Sequence, residues 1–67
     1  DSWITAKVKT TLLAVPGLNS SSLKIVTENG VVYLMGLTTR EQAQIATDKT
    51  RTVAGVQKIV KLFEYIN

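Results

Sequence analysis

Apolar residues recur at two angular positions in the first fifteen residues of the chain. At about 100° per residue, Ile4, Val8, Leu12 and Val15 gather into one stripe, while Trp3, Ala6, Thr10 and Leu13 gather into a second on the opposite side. The first has the i, i+4, i+8, i+11 spacing of a core-facing helix. The pattern therefore predicts a helix from about Trp3 to Ala14, with Trp3, the only tryptophan, on the face left outside. Ser2 is the expected N-cap, with Asp1 adding favourable charge there, and Pro16-Gly17 stops the helix near Val15. A polar loop follows over residues 17 to 22, in which Leu18 is expected to tuck back under the core.

The period then changes. Leu23 to Thr27 and Val31 to Met35 are β-branched and apolar runs separated by Glu28-Asn29-Gly30. Asn-Gly is the strongest short hairpin signal, because both residues tolerate positive φ. A two-residue turn there sets Ile25 opposite Leu34, Leu23 opposite Gly36 and Thr27 opposite Val32 on the face that takes the helices. The other face carries Lys24, Val26, Glu28, Val31, Tyr33 and Met35 and is expected to be thinly covered. Thr38 with Glu41 reads as a capping box for a second helix from Arg40 to about Val53, with Ala43, Ile45, Ala46, Thr50 and Val53 as candidate buried positions. Gly55 is expected to end that helix, and Val56 to Ile66 to form a last strand. In it both alternating sets are apolar, so periodicity leaves its core face open. The fold class is α+β: one small α-β-β-α-β domain, residues 1–67, a three-stranded mixed sheet with two helices on one face. Gly30 is read as a turn residue, Gly36 as a point of close packing and Gly55 as a helix cap, all structural.

Composition narrows the function classes. A chain of 67 residues is near the lower limit for a core without staples. With no Cys and no His, it lacks the strongest nucleophile and the commonest general base. Its five acids are scattered, and Glu41 and Asp48, two helical turns apart, read as a solvated face. A non-enzymatic role with no metal and no cofactor is the expectation. Eight Lys and Arg against five Asp and Glu lean the chain toward anionic partners. No run approaches the ~20 apolar residues of a membrane span. The chain opens directly on a helix cap, which reads as a domain excised from something longer.

Val32-x-Leu34-x-Gly36, followed by Ala43, Ala46, Val53, Gly55-Val56 and Ile59, resembles the pattern of the BON domain family, small α-β-β-α-β modules of bacterial envelope proteins. The likeness spans most of the chain. The opening Asp1-Ser2-Trp3-Ile4-Thr5 with Lys7, Val8, Leu12 and Leu13, and Thr27-Glu28-Asn29-Gly30 with Leu34-Met35-Gly36-Leu37, is more discriminating. It is similar to the second domain of outer-membrane lipoproteins of Gram-negative bacteria that carry two BON domains. The resemblance implies a periplasmic domain, held at the inner leaflet of the outer membrane by the parent protein's lipid anchor. It further implies a contribution to envelope integrity through binding of anionic phospholipids such as phosphatidylglycerol by the first helix. A second BON domain in the same chain or an outer-membrane assembly protein are the protein partners it implies.

The residues support such a surface on their own terms. An indole prefers the membrane interface because its ring is apolar while its N–H wants a polar partner. Trp3, Ala6, Thr10 and Leu13, with Lys7 and Lys9 beside them, are the candidate lipid-binding residues. Two competing placements stay open: Trp3 packed against the last strand or a neighbouring domain, and Leu13 turned under the Pro16-Gly17 loop. The alternative function is a protein–protein interaction on the open sheet face. Stacking of single-stranded nucleic acid on Tyr33, Phe63 and Tyr65 beside Lys24 and Lys61 is the least supported reading, because no phosphate-clamping loop accompanies the rings. No nucleic-acid partner is expected.

Overall fold

The computed structural model describes residues 2–66, Ser2 by its backbone alone. The elements run α1 (Ser2–Leu13), a short 3₁₀ turn (Ser20–Ser22), β1 (Leu23–Glu28), β2 (Val31–Thr38), α2 (Arg40–Thr50) and β3 (Lys58–Tyr65). Helix α1 begins one residue earlier than the pattern predicts, so Ser2 lies inside it. The charge expected from Asp1 falls outside the described residues.

The hairpin takes the register set by its turn. Leu23 faces Gly36, Ile25 faces Leu34 and Thr27 faces Val32 in an antiparallel pair. Asn29 (φ 52°) and Gly30 (φ 79°) both adopt the left-handed conformation that a two-residue turn needs. Strand β3 lies parallel to β2 at the other side of it, giving the mixed order β1-β2-β3. Ile59 is level with Val32 and Phe63 with Gly36, and both pack against the core. Neighbours in register share a face, which decides what periodicity left open: Ile59, Lys61, Phe63 and Tyr65 lie on the helix side of β3.

Ile4, Val8 and Leu12 are at most 3% exposed and meet Ile25, Val32, Leu34, Ala46 and Val53 in one cluster. Leu18 packs against that cluster from the loop, as expected. A hydrogen bond from Thr5 Oγ1 to Thr27 Oγ1, at 2.8 Å, ties α1 to β1. In α2, Ala43, Ala46 and Thr50 are buried as predicted, Ile45 is half-buried, and Thr47 joins the buried set. The buried hydroxyls cost nothing unpaired, since Thr47 donates to the Ala43 carbonyl and Thr50 to that of Ala46.

Helix α1 ends at Leu13, one residue short of the expected end, β1 and β2 run on to Glu28 and Thr38, and the limits of α2 and β3 differ from the sequence reading as well. The cap of α2 is Thr39, whose side chain accepts from the Gln42 N–H at 3.1 Å. Thr38 instead ends β2 as a buried residue, because strand pairing to Tyr65 takes precedence there. Replacing Thr39 with alanine is expected to lower stability by about 1 kcal/mol, measured by urea unfolding, whereas no effect would remove the cap from the account. At its other end α2 stops at Thr50, before Val53, and Gly55 sits in the connecting loop, not at the helix cap. A Cβ at Gly55 would lie 3.1 Å from Ile4 Cδ1 and 3.4 Å from Trp3 Cη2, so its role is to let the loop pass close to α1. Strand β3 starts at Lys58 because Val56 turns into the core ahead of it, and the Gln57 N–H bonds the Gly30 carbonyl at 2.8 Å.

Candidate binding surface

Helix α1 buries one stripe and exposes the other. Trp3 is 56% and Leu13 73% exposed, and Ala6, Lys7, Lys9 and Thr10 are exposed as well. Within the described residues Trp3 is exposed and not buried against β3, and Leu13 is not covered by the Pro16-Gly17 loop. The reason is geometric. Once Ile4, Val8 and Leu12 fill the space above the sheet, the described residues leave nothing to cover the opposite side of the helix.

The two lysines divide between the two large apolar side chains. Lys7 Nζ lies 5.4 Å from the centre of the Trp3 ring, within the range of a cation–π contact. Lys9 lines a pocket of about 260 Å³ with Leu13, Leu23 and Ile25, where α1 overhangs β1. Trp3 and Leu13 are ten residues apart, roughly 15 Å along the axis. The stripe is thus an elongated surface with an apolar side chain and a cation at each end. Between them, Thr10 Oγ1 donates to the Ala6 carbonyl at 2.9 Å and Thr11 Oγ1 to that of Lys7 at 2.8 Å. Hydroxyls turned back onto their own helix demand less of water, so the middle of the stripe is easier to desolvate than its composition suggests.

A further part of the surface comes from residues that sequence reasoning missed. Ala6, Lys7 and Thr10 form one wall of a groove of about 540 Å³ whose other wall is the loop Thr52, Val53 and Ala54. Val53 is 8% exposed and anchors that loop in the core, while Thr52 and Ala54 remain outside. No periodic signal marks a loop residue, and the juxtaposition exists only once α1 packs beside α2. Gly30, Gly36 and Gly55 lie at the hairpin turn, beside the Ser22 backbone and against α1, in structural positions.

The open sheet face carries Lys24, Val26, Glu28, Val31, Tyr33 and Met35 as expected. Leu37, Val60 and Leu62 extend it, with Tyr33 level with Val60 and Met35 with Leu62. Val26, Leu37 and Leu62 are exposed. The ring cluster considered for nucleic acid is divided: Tyr33 is on this face, while Phe63 and Tyr65, 6.3 Å apart, are on the other with Lys61. An eight-residue strand alternates sides, so residues at even and odd offsets cannot form one stacking platform.

Among the described residues no group of three or more His, Cys, Asp or Glu could hold a metal ion, and no helix is long and apolar enough to cross a membrane. Asp48 is engaged at 2.9 Å by Arg51 and at 3.0 Å by Gln44.

Two helices lie over one face of a mixed β1-β2-β3 sheet, with an exposed stripe on the first helix, and residues 1–67 match the BON domain. The chain belongs to the BON domain family. It is 36% identical over its whole length to the outer membrane lipoprotein DolP of Haemophilus influenzae. It is also 41% identical, over 98% of its length, to the 21 kDa hemolysin of Actinobacillus pleuropneumoniae. These matches cover 35% and 34% of those proteins, so the chain spans about a third of the length of the curated relatives it matches.

Proposed function

We propose that this domain is a non-catalytic binding module that docks on membranes containing anionic phospholipid through the exposed stripe of α1, in support of outer-membrane integrity. One observation carries the reading: α1 is amphipathic on both sides, with a buried Ile4/Val8/Leu12 stripe and an exposed Trp3/Leu13 stripe flanked by Lys7 and Lys9. Large apolar side chains exposed along one helix face suit an interaction surface, and lysines beside them favour an anionic one. Each lysine contributes about 1 kcal/mol near an anionic leaflet, and Leu13 and Trp3 add part of the ~1.5–3 kcal/mol of a fully buried side chain. The sum describes weak, reversible docking. Stable residence then requires a second attachment, as one membrane signal alone is marginal. The DolP relative, an outer membrane lipoprotein by name, supports placing the domain in the periplasm, at the inner leaflet of the outer membrane through a lipid anchor of its parent protein.

Trp3 reports on the proposal directly. Titrated with zwitterionic vesicles its fluorescence is expected to stay that of an exposed indole. With phosphatidylglycerol added it is expected to shift to the blue, and the shift is expected to weaken as salt shortens the Debye length toward about 3 Å at 1 M. A spectrum indifferent to anionic lipid would overturn the reading.

The sheet supports a second reading, a protein interface for a sister BON domain or an outer-membrane assembly partner. Its support is the cross-strand rows Val26-Tyr33-Val60 and Met35-Leu62, with Leu37 and Leu62 each 53% exposed. Such a contact is compatible with docking by α1, since the two surfaces lie on opposite sides of the sheet.

A further inference from the structure

Four charged residues frame the open face of the sheet. By register, Glu28 of β1 and Lys58 of β3 flank Val31 at one end, while Lys24 of β1 lies beside Met35 and Glu64 of β3 beside Leu37 toward the other. Residues level with one another share a face, so all four stand on the side away from the helices, and all four are exposed. Each edge strand thus carries one acid and one lysine, in opposite order along the sheet. Between them lie Val26, Tyr33, Met35, Leu37, Val60 and Leu62, of which Val26, Leu37 and Leu62 are exposed. Strands ~4.8 Å apart hold the backbones of Glu28 and Lys58 roughly 10 Å from each other, and Lys24 stands roughly 13 Å from Glu28 along β1. Among the described residues none of the four corners enters an ion pair.

We infer that this face pairs with the same face of a second copy of the chain, in a two-fold dimer whose sheets are aligned. The inference rests on the protein-interface reading of the sheet and names its partner; it does not depend on docking by α1. In a two-fold dimer a patch meets itself, and sheets packed face to face either align within about 30° or cross near 90°. With the two-fold axis along the strands, Glu28 meets Lys58 of the other copy and Lys24 meets Glu64. With the axis across the strands, Glu28 meets Lys24 of the other copy and Lys58 meets Glu64. Crossed sheets, whose axis runs along a diagonal of the face, bring acid onto acid and lysine onto lysine. Both aligned arrangements therefore surround an apolar centre with opposite-charge pairs, and the crossed one opposes like charges. The corners, two Lys and two Glu, sum to zero, so the face has no attraction of its own for an anionic surface. Its size sets the strength. Three strands and rows spanning ~20 Å make a patch of roughly 300 Å², and two such patches bury less than the ~1,200 Å² of a standard interface, so the dimer is weak and reversible.

The test is sedimentation equilibrium of the chain up to about 1 mM, where a dimer with a dissociation constant of that size holds half of the chains. A monomer–dimer equilibrium without larger species is expected, because a two-fold contact closes on itself. Leu62→Glu is expected to weaken the dimer about 10-fold or more with the fold intact by far-UV circular dichroism, since Leu62 is 53% exposed. Two double variants keep the net charge. Lys24→Glu with Glu28→Lys breaks the pairing about an axis along the strands and preserves that about an axis across them; Glu28→Lys with Lys58→Glu does the reverse. One of the two is expected to weaken the dimer about 10-fold, as several exposed pairs turn from attraction to repulsion, and the other to alter it by less than about 2-fold; the sensitive one names the axis. A wild-type chain still monomeric at about 1 mM would overturn the second copy alone and leave the sheet to a different protein. A dimer unmoved by Leu62→Glu lies on another surface and would overturn the sheet reading along with the proposal. Equal effects of the two double variants, or none from either, would overturn the charge-matched pairing.

Discussion

Gly36→Ala is expected to unfold a large fraction of the protein at room temperature. Gly36 pairs with Leu23 near the end of β2, at φ +130°, a conformation that L side chains rarely adopt. A Cβ there would overlap the Ser22 carbonyl oxygen and stand 3.2 Å from Leu23 Cα. Both obstacles are backbone, and the 3₁₀ turn holds them in place: the Ser22 hydroxyl and N–H both bond the Asn19 carbonyl, at 2.9 and 3.3 Å. Backbone strain costs about 1–3 kcal/mol and forced overpacking a further ~1–3. At about 0.05–0.15 kcal/mol per residue, a chain of this size holds only ~3–10 kcal/mol in all. Gly17→Ala is the control. Its φ is +80° but nothing lies within 4 Å of the added methyl, so about 1–2 kcal/mol is expected. Far-UV circular dichroism under urea is the measurement, since Trp3 is already exposed and reports folding poorly. Equal midpoints for the two variants would remove the close approach at Ser22 as the reason for the glycine.

Leu13→Glu is expected to abolish the anionic-vesicle response of Trp3 while leaving the fold intact. The side chain is 73% exposed, so its loss opens no cavity. The substitution removes an apolar contact worth part of ~1.5–3 kcal/mol and places a carboxylate against an anionic surface, reversing about 1 kcal/mol per charge. Together these correspond to a fall of roughly 10- to 100-fold in vesicle partitioning, taking 1.4 kcal/mol as tenfold. Because Trp3 and Leu13 stand roughly 15 Å apart on one helix, the result separates two ways of docking. If the whole stripe lies on the membrane, loss of Leu13 also silences Trp3. A blue shift that survives Leu13→Glu would mean that the domain meets the bilayer end-on, through Trp3, Lys7 and the loop beside Gly55, and the stripe as proposed would be wrong. A change at Tyr33 or Leu62 that removes the response, with Leu13→Glu silent, would move the site to the sheet.

The elements were legible where one physical constraint acted alone. Helix α1 was readable because two stripes at a helical period admit only one buried side. The hairpin register followed from Asn29-Gly30, since a two-residue turn leaves no freedom in the pairing. The errors sit where constraints compete. Thr38 was read as the cap, but the cap is Thr39 because Thr38 completes β2. Gly55 looked like a cap from its distance past α2, yet the chain uses it to pass close to Ile4 and Trp3. In β3 both alternating sets were apolar, and only pairing of Ile59 with Val32 and of Phe63 with Gly36 chose between them.

Local order and the existence of an outward stripe on α1 were determined by the sequence itself, because periodicity, turn chemistry and helix stops act over a few residues. The tertiary structure decided what each exposed residue has beside it. The loop Thr52 to Ala54 became a wall of the groove along α1, Phe63 and Tyr65 parted from Tyr33, and Lys24, Glu28, Lys58 and Glu64 came to frame one sheet face. Such neighbourhoods join positions far apart in the chain. They arise only when two helices compete for one face of a small sheet, and no local pattern encodes the outcome.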